Sequence, residues 1–318
     1  MNSISNLNVL LSSAGAKIPL LKALQHAARR INRSARIIAG DCSHPVVSEH
    51  FADDFWLMPA VAAGATDAII EGLVKRNVSH ILPSRDGELH FWSRLKQTLA
   101  AQGIYVLVSP EHAVQRCLDK NAFSSQLMSI GLPAIPSLAQ PDGSSELWVV
   151  KERYGAGSAS LGLALTSEQA QAHANTLQQP LFQPYICGRE ISIDAWLNKD
   201  SKLKAHICRY RLKVQHGESQ ISQTIALPQY DNLIRDALQA LALTGPVVMQ
   251  AIIDEQQQLH LIECNSRFGG ASTLGIKAGV DSLYWSLAES CGLDVDTILF
   301  LAAPCPITQV RYAGDLYL

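Results

Sequence analysis

The first hundred residues alternate short aliphatic and β-branched runs with longer stretches whose apolar residues have helical spacing. In chain order, the predicted elements are strand 8–11, helix 18–30, strand 35–39, helix 65–76, strand 78–83, helix 89–101 and strand 105–108. This alternation predicts parallel strands joined by right-handed crossovers, and therefore a Rossmann-like sheet. Such sheets bind ligands beyond the carboxyl ends of their strands, where we expect Ser12 to Lys17, Asp41, Arg85 and Asp86.

The chain changes character after Ser109, where short helices and β-hairpins replace the alternation. The predicted helices are 111–118, 122–130, 232–243 (with Asp231 as its N-cap) and 282–291. The predicted strands are 147–151, 161–165, 191–198, 204–215, 247–254, 259–265 and a last one at 309–312. The fold class is therefore α/β plus α+β, with a Rossmann-like domain first and a hairpin-rich region after it.

The first strand–helix turn argues against a nicotinamide-binding domain. It reads SSAGAK, with one glycine where the dinucleotide fingerprint requires three. An NAD-dependent oxidoreductase is therefore the weakest of the functions considered.

Composition excludes several other classes of protein. The 318 residues are 47% hydrophobic and 17% charged, which supports a large core and argues against disorder. The formal net charge of -2 gives no basis for coating nucleic acid or an anionic membrane. No signal peptide is visible and no apolar run could span a bilayer, so we expect a cytoplasmic protein. The seven cysteines lack CxxC spacing and lie mostly in apolar runs, which predicts free, buried thiols.

The two strands around residues 255–258 predict a metal site. If those four residues form the turn, Asp254 faces Leu259 and Gln250 falls opposite Glu263, on the same face of the hairpin. Asn265, two residues further on, shares that face because strand side chains alternate. A carboxylate and two amide oxygens suit Mg²⁺, or Mn²⁺ in its place. The competing interpretation is a polar strand end that faces solvent.

A glycine-rich segment follows the predicted strand that ends at Lys151. It reads ERYGAGSASLG and contains Gly155, Gly157 and Ser158. It is not a Walker A loop, because no Lys-Ser/Thr follows the glycines. Its backbone N–H groups could still cover phosphate oxygens, and Lys151 would add a positive charge there. An ordinary hairpin tip is the alternative.

A third segment, QPYICGREISID from Gln183 to Asp194, is an apolar connection that ends in Glu190. It could hold a flat base against backbone groups and a ribose against the carboxylate. In isolation, a solvated turn glutamate is the commoner explanation.

These segments, in this order, resemble the nucleotide-site motifs of the ATP-grasp superfamily. The similarity also includes Lys120 in DKN and the run IECNSRFGG, and it extends over essentially the whole chain. It is greatest for the carbamoyl-phosphate synthase large subunit and the carboxylate–amine ligases. The resemblance implies a pre-ATP-grasp domain over 1–109, a small lobe with a glycine-rich lid over 110–185 and a large lobe with the metal site over 186–318.

The resemblance also implies roles for individual residues and two cofactors, ATP and Mg²⁺. Lys120 and Lys151 would contact the phosphates, and the loop with Gly155, Gly157 and Ser158 would close over them. Gln183, Pro184, Tyr185 and Ile186 would surround the adenine, and Glu190 would bind the ribose. Glu263 would bridge two metal ions, each held also by Gln250 or Asn265, and Arg267 would meet the transferred phosphoryl group, with Lys151 as a second catalytic cation.

Two departures from the family pattern bear on the nucleotide. Gln183 stands where the family often has an acidic residue, which weakens the expected hydrogen bond to the adenine amine and makes the preference for ATP less certain. Glu152 and Arg153 stand where a proline frequently follows the lysine strand.

The implied reaction is ADP-forming activation of a substrate carboxylate as an acyl phosphate, followed by attack of an amine. The partners would be these small molecules, with no nucleic acid or membrane, and the sequence leaves a homodimer open. A carboxylating or carbamoyl-phosphate-type enzyme, or a non-catalytic nucleotide-binding protein, are the alternatives.

The identity of the carboxylate does not follow from the sequence. Arg209, Arg211 and Lys213 alternate on one strand face, which could meet the acceptor carboxylate, the phosphates or only solvent. Arg85 and Asp86 follow the third predicted strand and could reach the cleft, although salt-bridged surface residues are the commoner case.

Overall fold

The computed structural model describes residues 7–155, 160–215 and 217–318. The first part contains a parallel five-stranded sheet of order β3-β2-β1-β4-β5. Its strands are β1 (Asn8–Ser12), β2 (Arg36–Asp41), β3 (Asp54–Leu57), β4 (His80–Pro83) and β5 (Tyr105–Val106). The helices α1 (Ile18–Ile31), α2 (Thr66–Lys75) and α3 (Asp86–Ala100) join them. The predicted Rossmann-like sheet is confirmed.

Strand β3 was not predicted from the sequence. It is a four-residue strand, DFWL, at the edge of the sheet, and only Trp56 among its side chains is buried. A short edge strand carries too little hydrophobic alternation to be recognised from sequence alone.

A three-stranded antiparallel sheet of order β7-β6-β8 follows two helices. The helices are α4 (Glu111–Leu118) and α5 (Lys120–Ser129), and the strands are β6 (Trp148–Glu152), β7 (Gly162–Leu165) and β8 (Pro180–Pro184). Helix α6 (Ser167–Ala174) packs on this sheet in a small core of its own, around Trp148 and Phe182. Helix α6 and strand β8 were missed. The prolines at both ends of β8 are tolerated because it is an edge strand.

The remaining strands form a six-stranded sheet of order β13-β12-β9-β10-β11-β14. They are β9 (Gly188–Leu197), β10 (Leu203–Gln215), β11 (Glu218–Ile225), β12 (Gly245–Asp254), β13 (Leu259–Asn265) and β14 (Thr308–Val310). The last confirms the terminal strand expected near Gln309, whereas β11 was not predicted. The helices of this part are α7 (Asp231–Ala240), α8 (Ser272–Lys277) and α9 (Ser282–Ser290).

Side-chain alternation divides the two faces of this sheet. Odd-numbered residues of β9 and β12, such as Ile193 and Met249, lie in the largest core with α4, α5 and α7. Even-numbered residues such as Ser192 and Gln250 point the other way, and both of these line a cavity. The alternation that places the odd-numbered side chains in the core therefore also places the even-numbered side chains on the cavity side of the sheet.

Helix α1 ties the first sheet to the rest of the molecule. Leu283 and Leu287 of α9, together with Phe268, share one buried cluster with Leu21 and Leu24 of α1. Because this core is continuous, the N-terminal sheet is held firmly against the six-stranded part. Among the residues described, no helix combines the length and the hydropathy needed to cross a membrane.

Two smaller predictions need correction. Asp231 does not cap α7 but is its first residue, and Tyr230 precedes it at the N-cap. All seven cysteines are free, as predicted, but only Cys117, Cys208 and Cys264 are buried. The remaining thiols, those of Cys42, Cys187, Cys291 and Cys305, are exposed or half-buried, because these residues lie in turns and loops outside the strands and helices.

Candidate functional site

A cleft of about 220 Å³ lies between the three-stranded and the six-stranded sheets, and we call it the inner cleft. It brings together almost all of the predicted nucleotide residues, which are Lys120, Lys151, Gly155, Gln183, Pro184, Tyr185, Ile186 and Glu190. Gly157 and Ser158 fall outside the described residues. Segments far apart in the chain thus converge on one concave site, as the ordered motifs predicted.

Two buried lysines lie in this cleft, and their positive charges repel each other. Lys120 is the first residue of α5 and Lys151 lies on β6, and each is less than a tenth exposed. Burial lowers the pKa of Lys151 to about 8; Glu263 opposes this shift and Lys120 adds to it. Lys120 Nζ donates to the carbonyl of Gly155 at 2.8 Å and lies 4.0 Å from Glu263 Oε2. Anionic phosphate oxygens between the lysines would relieve this concentration of positive charge.

Asp119 joins helix α5 to the start of the glycine-rich segment. As the N-cap residue, its carboxylate accepts the backbone N–H groups of Asn121 and Ala122. It also accepts two hydrogen bonds from Arg153, at 2.8 and 2.6 Å, and one from the Tyr154 hydroxyl at 2.8 Å. Burial raises the pKa of Asp119, but the hydrogen bonds outweigh it and leave the pKa at about 2. One carboxylate therefore fixes both Lys120 and the strand end after Lys151.

Gln183 is oriented by its neighbours on the inner wall. Its side chain is buried, and Nε2 donates to the carbonyl of Ile135 and to Ser137 Oγ, both at 3.2 Å. A backbone carbonyl can only accept, so this contact fixes which end of the amide faces it. The Oε1 atom of Gln183 is consequently the end left to accept a hydrogen bond from a ligand.

Glu190 is already engaged at the mouth of the inner cleft. Its carboxylate accepts a 2.5 Å hydrogen bond from Arg211 Nη1, while the remaining nitrogens of Arg211 contact Ser219 Oγ and the carbonyl of Gly217. The Glu190 side chain stays 40% exposed, which leaves room for a second partner. Glu190 is therefore not simply a solvated turn residue, because a nearly buried arginine donates a hydrogen bond to its carboxylate.

The hairpin of β12 and β13 places Gln250 opposite Glu263, and residues 255–258 lie between the two strands, both as predicted. The expected pairing of Asp254 with Leu259 was wrong, because Leu259 pairs with Ile253. A β-bulge between Gln250 and Ala251 restores the register, because Ala251 pairs with Leu261 and leaves Ile262 as the extra residue. The one-residue shift in pairing at Leu259 and the bulge at Ile262 therefore cancel, so that Gln250 still faces Glu263.

The oxygen donors of this hairpin fit a hard divalent cation. Gln250 and Glu263 line the inner cleft and also an adjoining cavity, which Asn265 lines as well. Within the described residues, the side chains of Gln250 and Asn265 make no hydrogen bond, and the nearest cation to Glu263 is Lys120. One carboxylate with two amide oxygens matches the preference of Mg²⁺ for few protein ligands. Among the described residues, no group of three or more His, Cys, Asp or Glu side chains could hold a metal ion.

The adjoining cavity, which we call the outer cavity, has a volume of about 530 Å³ and is lined partly by the N-terminal sheet. Lys17, Arg85 and Asp86 line it from beyond the carboxyl ends of β1 and β4, as predicted, and Ser84 lines it beside them. Asp41 does not line it; its carboxylate accepts the backbone N–H of Gly15 at 2.8 Å.

Arg267 reaches the outer cavity but is not free. Its Nε donates to Asp86 Oδ1 at 2.9 Å and its Nη2 donates to Asp86 Oδ2, a two-pronged contact between residues 181 positions apart. Both side chains are less than a fifth exposed. Asp86 was predicted as a candidate substrate residue, with a salt-bridged surface residue as the alternative. It does form a salt bridge, but it lines the outer cavity. Its partner is the predicted catalytic arginine.

The arginines of β10 are not a solvated face. Arg209 is 3% exposed and its Nε donates to Asp194 at 2.6 Å, while only Lys213 of the three alternating cations is exposed. The Nη1 atom of Arg209 is buried without a hydrogen-bond partner among the described residues. Both Arg209 and Arg211 line the outer cavity.

Several lining residues were not foreseen. The apolar walls of the inner cleft include Ile135, Val149, Leu163, Ile252 and Ile262, and the outer cavity includes Arg311. Because the side chains of β12 alternate between the core and the cleft, Ile252 could have been predicted from the sequence to line the cleft. Nothing local in the sequence marks Arg311, which reaches the cavity through β14.

Two family models match different parts of the chain. Residues 9–107 match the model described as "PylC-like, N-terminal domain", and residues 176–311 match "ATP-grasp in the biosynthetic pathway with Ter operon". A curated relative, the carbamoyl phosphate synthase large chain of Pyrococcus furiosus, is 24% identical over 231 residues. That match covers 64% of this chain but only 22% of the relative.

Solved structures share the fold at low sequence identity. The biotin carboxylase domain of Hydrogenobacter thermophilus 2-oxoglutarate carboxylase has a TM-score of 0.73 and 16% identity, over 90% of this chain and 69% of that one. It was solved with MgADP, ADP and bicarbonate. The L-amino acid ligase of Bacillus licheniformis has a TM-score of 0.69 and 15% identity, over 93% of this chain and 78% of that one. The N5-carboxyaminoimidazole synthetase of Staphylococcus aureus with ADP has a TM-score of 0.70 and 13% identity, over 92% of this chain and 80% of that one.

Proposed function

Since the chain belongs to the ATP-grasp superfamily, in the branch of the carbamoyl phosphate synthase large chain, we propose that it is an ADP-forming carboxylate–amine ligase. ATP would bind in the inner cleft and the carboxylate and amine in the outer cavity. The observation that carries the proposal is that the two spaces adjoin at Gln250 and Glu263, between two buried lysines and Arg267.

The inner cleft is suited to an adenine nucleotide. The Oε1 atom of Gln183 can accept a hydrogen bond from the exocyclic amine of adenine, which guanine lacks at that position. Apolar side chains such as Val149 and Ile252 offer surfaces to a flat base. Glu190 has exposed carboxylate area for the ribose hydroxyls, and Lys120 and Lys151 supply charge for the phosphates.

Gln250, Glu263 and Asn265 would hold the magnesium. When bound, the metal would neutralise charge on the phosphate oxygens and so supply electrostatic stabilisation during phosphoryl transfer. Lys120 Nζ lies 4.0 Å from Glu263 Oε2, so a cation from the phosphate side of the cleft already contacts this carboxylate.

The reaction consists of two displacements. A carboxylate oxygen of the substrate bonds to the γ-phosphorus while the bond from that phosphorus to the β-γ bridging oxygen breaks, giving an acyl phosphate and ADP. The amine nitrogen then bonds to the acyl carbon, the acyl–oxygen bond breaks, and phosphate and one proton leave. Arg267, held by Asp86, would orient and stabilise the transferred phosphoryl group.

The test is ADP release with Mg-ATP against a panel of amino acids, dipeptides and small carboxylates, with mass spectrometry of the products. We expect one carboxylate–amine pair to stimulate release and to yield an amide. ADP release without any carboxylate-dependent product contradicts the proposal. Stimulation by bicarbonate alone would indicate a carboxylating enzyme instead.

The variant Glu263→Gln tests the site within the same assay. Loss of even an outer-sphere partner of a metal costs about 10- to 100-fold, so removing this central carboxylate should lower kcat/KM by about 100-fold or more. Glu255→Gln, in the exposed turn of the same hairpin, is the matched control and should leave activity unchanged. Equal activity of the two variants would contradict the assignment of Glu263.

A further inference from the structure

The outer cavity has more positive than negative side chains on its wall. Among its described lining residues, the cations are Lys17, Arg85, Arg209, Arg211, Arg267 and Arg311, and the carboxylates are Asp86, Glu218 and Glu263. A wall of this composition attracts anions, because a partly enclosed space strengthens the field of its charges.

Most of these cations are already neutralised in pairs. Asp86 pairs with Arg267 and Glu218 with Arg311. The carboxylates of Glu190 and Asp194 pair with Arg211 and Arg209. Lys17 and Arg85 are different, since no carboxylate of the described chain lies within 4.0 Å of either. The unneutralised charge is therefore concentrated on the wall made by the N-terminal sheet.

This wall is rigid. Glu88 is fully buried in α3, and its carboxylate accepts the backbone N–H groups of Ser84 and Arg85 at 2.8 and 3.1 Å, together with the indole N–H of Trp92. Lys17 Nζ in turn donates to Ser84 Oγ at 2.9 Å. This network fixes the backbone at the end of β4 and, through Ser84, the ammonium group of Lys17, while the exposed side chain of Arg85 is positioned only by its fixed backbone.

The electrostatics of Lys17 agree with an incomplete site. Burial, together with the positive charges of Arg267 and Arg85, lowers the pKa of Lys17 to about 8, against the opposing effect of Glu88 and Asp86. An anion beside Lys17 would reverse the shift. Across the cavity, the buried Nη1 atom of Arg209 has no hydrogen-bond partner among the described residues.

We propose that the carboxylic acid activated here carries a second anionic group, which Lys17 and Arg85 bind while the reacting carboxylate lies towards Arg267 and the metal ligands. The inference rests on the proposed ligase function and names its substrate class, a doubly charged small acid. The nucleotide phosphates do not account for these cations, because Lys120 and Lys151 serve them from the inner cleft, which no described residue before 120 lines.

The experiment compares acids of equal carbon number in the full-length protein with Mg-ATP. Succinate, glutarate and L-glutamate are each set against butyrate, valerate and L-norvaline, and O-phospho-L-serine against L-serine. Hydroxylamine serves as the amine, so that any acyl phosphate is trapped as a hydroxamate. We expect doubly charged acids to have a kcat/KM about 10- to 100-fold higher than their singly charged counterparts, from charge-assisted hydrogen bonds to the second group. The phosphoserine arm separates a second phosphate from a second carboxylate.

Variants assign the preference to the wall. Lys17→Met and Arg85→Met should each remove most of it while the KM for ATP stays unchanged, and Lys22→Met, exposed on the helix α1 that follows Lys17, is the control. Equal rates for singly and doubly charged acids would overturn the inference, and so would a preference that survives both substitutions. A raised KM for ATP in Lys17→Met would place this lysine at the nucleotide and overturn it as well.

A separate readout distinguishes failure of this inference from failure of the ligase proposal. If no acid gives ADP or hydroxamate, the ligase proposal fails. The second-anion inference is then decided by calorimetric binding of the same acids to protein saturated with a non-hydrolysable ATP analogue and Mg²⁺. Tighter binding of doubly charged acids that is lost in Arg85→Met upholds it, and absence of that preference contradicts it.

Discussion

At the scale of single residues, the site is organised by charged side chains that interact electrostatically with one another. Lys151 is the clearest case, because its burial costs free energy as long as the ammonium ion has no anion beside it. In the free protein its pKa is about 8, against 10.5 in the unfolded chain. Between these two values the unfolded chain binds the proton and the folded chain does not, so this lysine's contribution to stability increases with pH across that window.

Nucleotide binding should therefore depend on pH through Lys151. Above about pH 8 the free protein holds this lysine partly neutral, and a bound phosphate restores the ammonium ion. We expect affinity for a non-hydrolysable Mg-ATP analogue to fall as pH rises above 8, with proton uptake on binding, measured calorimetrically in buffers of different ionisation enthalpy. Lys151→Arg, which stays charged, should bind with a flatter pH profile. An unchanged proton uptake in that variant would contradict the assignment.

At the scale of elements, strand alternation made much of the candidate site predictable. The even-numbered side chains of β12 turn away from the core, so Gln250 could be aligned with Glu263 from the sequence. The bulge at Ile262 was not predicted, because it shifts the core face of β13 from Leu259 and Leu261 to Cys264, a change that regular strand alternation does not include. Strands β3 and β8 lie at sheet edges and show no alternation, because β3 buries a single side chain and β8 buries three adjacent ones.

The start of helix α5 offers a prediction at this scale. Asp119→Ala removes an N-cap, which should lower the free energy of unfolding by about 0.5–2 kcal/mol in urea titrations. It also frees Arg153 and Tyr154, so nucleotide affinity should fall together with stability. Asp119→Asn can still cap the helix but lacks the charge, and it should keep most of the stability while losing affinity.

The pH dependence of Asp119 has the same sign as that of Lys151 but lies in an acidic window. Its pKa in the folded protein is about 2, below the usual 3.8. The stabilisation it gives is therefore complete above the unfolded value and is lost as pH falls towards 2. Acid unfolding of the Asp119→Asn variant should accordingly lack this part of the wild-type pH dependence.

At the scale of the whole molecule, the contact between Asp86 and Arg267 joins the N-terminal sheet to the six-stranded part across the outer cavity. No local pattern predicts it, since 181 residues separate the partners. The order of motifs predicted which segments form the site, but the docking of the sheet that brings these side chains together depends on the core shared by α1 and α9.

Asp86→Asn should weaken catalysis without weakening nucleotide binding. The amide cannot match both guanidinium N–H groups, so Arg267 loses its orientation and kcat should fall roughly 10- to 100-fold at little change in the KM for ATP. Asp281→Asn breaks another pair between the same two parts, with Arg30, away from the cavity, and serves as the control. A loss of kcat in both variants would indicate a general loosening and contradict a specific role for Asp86.

The division of the two spaces between parts of the chain has a consequence for how such proteins can diverge. In the described structure, the wall from Lys17 to Asp86 borders the outer cavity and contributes nothing to the inner cleft. If the acid binds in the outer cavity and ATP in the inner cleft, as proposed, mutations in that wall would change which acid is accepted and leave the nucleotide site intact. New substrates would then be acquired through changes in the first hundred residues alone.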